Sequence, residues 1–92
     1  NISTVIRDGS IVTVASDPYI LTSELCNALF GQNPDANRVN YFMSTFLLQG
    51  MANFYWTNAW SDYMATGVNT VVESRLKLLV TNILRAPESQ MF

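Results

Sequence analysis

Residues 70–85 have the sequence TVVESRLKLLVTNILR, and their pattern indicates a helical fold class for the chain. Its apolar residues recur every three or four positions, which predicts a helix over about 71–85. Thr70 and Glu73 have the spacing of a capping box, and a basic residue suits the other end of the helix dipole. Pro87 cannot continue the helix, so we expect it to end just before this residue. The predicted buried stripe consists of Val72, Leu76, Leu79, Val80, Ile83 and Leu84.

Three further segments show the same helical spacing, so the predicted fold is mainly α. They cover about 18–30, 36–49 and 53–65. Asp17 followed by Pro18 is typical of a helix start, and a glycine follows each of the three segments as a plausible stop. The sequence therefore predicts a small helical bundle of about four helices.

The N-terminal segment is the only part of the sequence with strand character. Residues 3–7 and 10–14 are rich in β-branched side chains, and between them lies Asp8-Gly9, a pair typical of two-residue hairpin turns. We therefore expect a short β-hairpin over residues 3–14. Because a two-stranded hairpin is only marginally stable alone, it should pack on the helices or extend the sheet of a partner.

The length and composition favour a small domain with part of its surface covered. We interpret residues 1–92 as a single domain or as the C-terminal fragment of a longer chain, since the first residue is Asn1 rather than methionine. Charged residues make up 13% of the chain, against about 25% in an average soluble domain. We therefore expect a protein partner, or the remainder of its own chain, to cover some of the surface.

Several function classes are disfavoured by the same composition. The chain has five basic and seven acidic side chains, and the basic ones are too scattered to form a nucleic-acid-binding stripe. It has no histidine and one cysteine, so it cannot supply the usual zinc ligands or a histidine base by itself. We expect no catalytic residue, metal or cofactor in this chain. Cys26 lies between apolar neighbours, which predicts buried packing.

A long uncharged run lies between Arg38 and Asp62. Its length is sufficient for a membrane span. However, Gly50 lies in its middle, and a single inserted helix would bury several amide side chains in hydrocarbon. Two helices of a folded domain explain the run better, so we do not expect a transmembrane span.

The candidate site is the aromatic face of the helix predicted over 53–65. Its members are Tyr55, Trp56, Asn58, Trp60, Asp62 and Tyr63. Such a face can anchor a protein partner or stack on a sugar ring. We favour core packing for most of this face, with part of the cluster at an interface, because aromatic residues at helical spacing usually face the interior.

The C-terminal part of the sequence resembles one known family. The resemblance is carried by residues 72–79, by Ile83-Leu84 and by the segment Ala86-Pro87-Glu88-Ser89-Gln90. These residues resemble the C-terminus of a family of secreted bacterial proteins known as the domain of unknown function number eighteen hundred. Its members often close with an arginine-leucine helix and a Pro-Glu-aromatic-Gln segment, and Ser89 stands here in place of the aromatic residue. The resemblance implies a mainly helical, exported protein without an established activity, and it assigns no catalytic residue.

The sequence therefore favours a structural or protein-interaction module. Such a module would be a subunit or C-terminal fragment that packs on a larger assembly through an aromatic and apolar helical face. One alternative is carbohydrate or small-ligand binding on the face formed by Trp56, Trp60 and Tyr63. Another is the tail of an exported enzyme whose active residues lie upstream.

Overall fold

A computed structural model of the chain describes residues 2–9, 11–31 and 35–86. These residues form five α-helices and no β-strand. The helices are α1 (Ile2–Asp8), α2 (Pro18–Phe30), α3 (Ala36–Phe42), α4 (Asn53–Thr66) and α5 (Thr70–Arg85). The mainly helical class is confirmed, with five α-helices where about four were expected.

The β-hairpin predicted over residues 3–14 is wrong, because the first half of this segment forms α1. Gly9 has a φ of 84°, and its N–H donates to the Ile6 carbonyl at 3.1 Å. The Asp-Gly pair thus ends a helix instead of turning between two strands. Ile6 is buried and Ile2 is half-buried, so the helical conformation places both on the core. That burial outweighs the weak strand preference of β-branched residues.

The start of α2 and the end of α4 follow the local signals of the sequence. The Asp17 carboxylate accepts hydrogen bonds from the N–H groups of Tyr19 and Ile20 at 2.9 and 3.0 Å, which caps α2. Gly67 ends α4 with a φ of 78°, a left-handed conformation that disfavours side chains with a β-carbon. The two helices coincide closely with those predicted over 18–30 and 53–65.

The helix predicted over 36–49 consists of two consecutive elements. α3 continues directly into a π-helical segment, Met43–Leu47. The N–H of Leu48 donates to the Met43 carbonyl at 2.8 Å, a bond that spans five residues. Gln49 and Gly50 then both adopt positive φ angles, which ends the element.

The capping box predicted at Thr70 and Glu73 does not form. Asn69 occupies the N-cap position of α5, without a side-chain capping bond. The Glu73 carboxylate instead accepts a hydrogen bond from the N–H of Ser3 in α1, at 2.8 Å. The N-terminal turn of α5 therefore holds another helix in place.

The C-terminal end of α5 agrees with the predicted stop. Ala86 has φ and ψ of −66° and 145°, an extended conformation that is usual before a proline. Pro87 itself and the rest of the resembling segment, residues 88–90, lie outside the described residues.

The core lies where α2, α4, α5 and the π-helical segment meet. Of the predicted α5 stripe, four side chains are buried: Val72, Leu76, Leu79 and Ile83. Val80 is half-buried, whereas Leu84 is exposed, because its position lies on the solvent side of the helix. Cys26 is fully buried, as predicted. None of the helices in the described residues is both long and apolar enough to cross a membrane.

Candidate functional site

α4 divides the six predicted site residues between two sides of the helix. Three of them are buried on the inner side: Trp56, Trp60 and Tyr63, with exposed fractions of 1%, 6% and 5%. The other three line a groove between α4 and α5: Tyr55, Asn58 and Asp62. The structure therefore does not bring the six together on one surface.

The inner side of α4 is an aromatic stack. The ring centroids of Trp56 and Trp60 are 5.9 Å apart with a 30° interplanar angle, and Tyr63 meets Trp60 edge-on at 5.2 Å. The indole Nε1 of Trp56 donates to the Ala15 carbonyl at 2.8 Å. Because these rings are buried, their faces cannot stack on a sugar, and the cluster is core packing.

The phenol of Tyr63 joins this stack to α1. The Arg7 guanidinium lies over the ring, 5.3 Å from its centroid. Burial raises the pKa of Tyr63, but the hydrogen bonds with the side chains of Ser3, Arg7 and Thr4 and the charge of Arg7 together lower it more. The pKa of Tyr63 is therefore below its ordinary value. These contacts hold α1 against α4.

A second polar cluster joins α1 to α5. The Glu73 carboxylate accepts hydrogen bonds from the N–H groups of Ser3 at 2.8 Å and Ile2 at 3.4 Å. Both belong to the first turn of α1, whose N–H groups have no partner within the helix, so Glu73 caps this helix from another element. Burial raises the pKa of Glu73, but the hydrogen bonds from Ser3 and Ile2 lower it more, and the pKa is below its ordinary value.

Ser3 lies at the centre of this second cluster. Its Oγ accepts a hydrogen bond from the Asn69 side-chain amide at 3.0 Å, and the residue is fully buried. Because the Ser3 hydroxyl is buried, a substrate cannot reach it, and the cluster has a structural role. No local sequence signal indicates this cluster, because Ser3 and Glu73 are 70 positions apart.

The outer side of α4 forms one wall of a groove of about 570 Å³. α5 contributes its first turn to the opposite wall, and the loop between the helices contributes Val68. Three large apolar side chains around the groove are strongly exposed: Phe54 by 69%, Val68 by 65% and Val71 by 48%. The groove thus combines an apolar rim with the polar side chains Asn58, Asp62 and Thr66.

Arg75 supports the groove although the sequence analysis did not single it out. Its Nη2 donates to the Tyr55 hydroxyl at 3.4 Å, and its guanidinium lies 5.1 Å from the centroid of that ring. Its Nη1 donates to the Leu47 carbonyl at 3.2 Å, at the end of the π-helical segment. Arg75 therefore fixes Tyr55 in the groove, through partners that are 20 and 28 positions away.

Asp62 is the charged side chain of the groove. It is exposed, and its carboxylate makes no hydrogen bond or ion pair with any residue that the structure describes. A positive charge placed in the groove would gain a charge pair with this carboxylate.

Two other depressions lack this combination of features. An open one of about 650 Å³ follows the solvent side of α5 and is lined by that helix and its N-cap residue. Another has a volume of about 350 Å³ and is lined by aliphatic side chains of α1, α2 and α5 and by Ile11; we call it the aliphatic depression. Within residues 2–9, 11–31 and 35–86, no three His, Cys, Asp or Glu side chains come together to hold a metal ion.

Comparison with protein-family models, with curated proteins and with solved structures finds no match to this chain. The relation to the secreted bacterial family therefore stays a prediction.

Proposed function

We propose that this domain is a protein-interaction module that binds a helical segment of a partner protein in the groove between α4 and α5. The observation that carries the proposal is the grouping of Phe54, Val68 and Val71, all strongly exposed, around a concave surface. Large apolar side chains grouped in this way favour burial by a partner, at about 25 cal/mol per Å² of apolar surface.

The shape of the groove favours a helix as the occupant. Both walls are helical, so their backbone groups are bonded internally and offer no strand edge for an added β-strand. The α4 wall extends from Phe54 to Thr66, which is about 18 Å at the usual rise of a helix. An amphipathic segment of about three helical turns has this length, and its apolar residues would meet the rim.

The proposed contact surface differs from the aromatic face that the sequence indicated. Trp56, Trp60 and Tyr63 are core residues, and the proposed partner instead contacts the side of α4 that carries Tyr55 and Asn58. The carbohydrate-binding alternative loses its support, because it required exposed tryptophan rings.

A titration of the ¹⁵N-labelled chain tests the proposal. The probe is an uncharged amphipathic peptide of about 14 residues, with leucines on one helical face and glutamines on the other. We expect amide shifts to change along the outer side of α4 and in residues 68–72. Shifts that change around the aliphatic depression instead, or that do not change at all, would contradict the proposal.

Two matched variants test whether the peptide binds in the groove or in the aliphatic depression. Val71→Asp places a charge on the groove rim, whereas Val5→Asp places one on the rim of the aliphatic depression. The two valines are 48% and 46% exposed, so neither substitution introduces a charge into the core. We expect Val71→Asp to abolish binding and Val5→Asp to leave it unchanged.

A further inference from the structure

We propose that the segment bound in the groove is basic, and that one of its lysine or arginine side chains pairs with Asp62. This inference rests on the proposed function and adds the chemical class of the partner: a helix with a basic residue beside its apolar face.

The carboxylate of Asp62 is accessible to a partner. It is exposed, and it makes no hydrogen bond or ion pair with any residue that the structure describes. The Thr66 hydroxyl donates to the backbone carbonyl of Asp62, not to its side chain.

Basic side chains are missing from the lining of the groove. None of the five basic residues of the chain lines it. Arg75 lies beside the groove, where its guanidinium donates to the Leu47 carbonyl and to the Tyr55 hydroxyl. Since Asp62 is the charged side chain of the lining, a cationic partner is favoured over an acidic one.

The apolar and charged groups of the groove share one surface. Asp62 lies in the same groove as Phe54, Val68 and Val71. A docked helix that buries its apolar residues on these side chains therefore brings its flanking residues to the carboxylate. A lysine or arginine there gains a charge pair, whereas a glutamate meets a like charge.

Three peptides of the same length test the inference. They share a leucine face and carry lysine, glutamine or glutamate at the positions beside it. Dissociation constants are measured by fluorescence anisotropy at low salt, where exposed charge pairs are least screened. We expect the lysine peptide to bind about fivefold more tightly than the glutamine peptide, and the glutamate peptide to bind most weakly.

Two variants that each remove one negative charge show where the preference arises. Asp62→Asn should abolish the preference for lysine. Glu24→Gln is the matched control, because Glu24 lies on α2 outside the groove, and a glutamine can still accept the hydrogen bonds that Thr13 donates. We expect Glu24→Gln to keep the preference.

The outcomes separate this inference from the proposed function. If the three peptides bind equally and Val71→Asp abolishes all binding, the groove is a docking site but the basic partner is wrong. A preference for lysine that persists in Asp62→Asn would also overturn the inference. If none of the peptides binds, the proposed function and the inference both fail.

Discussion

The carboxylate of Glu73 accepts a hydrogen bond from the backbone N–H of Ser3 at 2.8 Å, although the two residues are 70 positions apart. The helix that Ser3 belongs to has only seven residues, too few to be stable in isolation. The Glu73 carboxylate caps the first turn of this helix from α5. The conformation of the N-terminal segment therefore depends on α5.

Replacement of Glu73 by alanine should lower the free energy of unfolding by about 1–2 kcal/mol, because two N–H groups of α1 lose their acceptor. Urea denaturation measures this change, and amide hydrogen exchange should show faster exchange in α1. Lys77→Ala, one turn further along α5 and exposed, is the control and should stay within about 0.5 kcal/mol of the wild type. Equal effects of the two substitutions would contradict the capping role.

The pH dependence of stability should report the same contact. The pKa of Glu73 is lower in the folded state than its ordinary value of 4.5, since hydrogen bonds to Ser3 and Ile2 favour the charged form. The stabilisation is therefore complete above the ordinary pKa, and is lost as the pH falls through the lower pKa of the folded state.

Denaturation of the wild type and of Glu73→Gln between neutral and acid pH measures this effect. The difference in free energy of unfolding between the two proteins should be constant near neutral pH and should shrink below about pH 4.5. A difference that does not change with pH would show that the charge of Glu73 contributes nothing.

The two tryptophans of α4 should respond differently to replacement by phenylalanine. Trp56→Phe removes the donor of the 2.8 Å hydrogen bond to the Ala15 carbonyl and should destabilise the domain by about 2 kcal/mol. Trp60→Phe removes ring area but no hydrogen bond to the described residues, and should cost about half as much. Thermal unfolding of both variants measures the difference, and a larger loss for Trp60→Phe would contradict it.

Tryptophan fluorescence should show that the indole rings are internal. Because Trp56 and Trp60 are almost fully buried, iodide should quench their emission weakly. Oligosaccharides added over a wide concentration range should leave the emission unchanged. A saturable change with any of these sugars would restore the ligand-binding interpretation of the aromatic cluster.

The helices that the sequence predicted correctly are those whose capping residues and apolar spacing lie within the helix or directly beside it. The Asp17 cap lies two and three residues from the N–H groups it binds, and the apolar spacing of α5 is complete within the helix itself. The N-terminal segment was mispredicted because its decisive partner, Glu73, belongs to a distant element. Strand preference, measured over a few residues, carries no information about such a contact.

The candidate site could also be predicted only in part from local sequence patterns. Helical spacing correctly places Trp56, Trp60 and Tyr63 on one side of α4. Both sides of this helix carry apolar or aromatic residues, so spacing alone cannot decide which side faces the core. The decision comes from contacts such as the bond between Trp56 and Ala15, which are 41 positions apart.

The most direct test of the docking groove is the set of intermolecular nuclear Overhauser effects between the chain and the lysine-bearing peptide. We expect contacts from the Phe54 ring and from the methyl groups of Val68 and Val71 to the leucines of the peptide. Contacts confined to Val5 and Ile11, in a complex that does form, would contradict it.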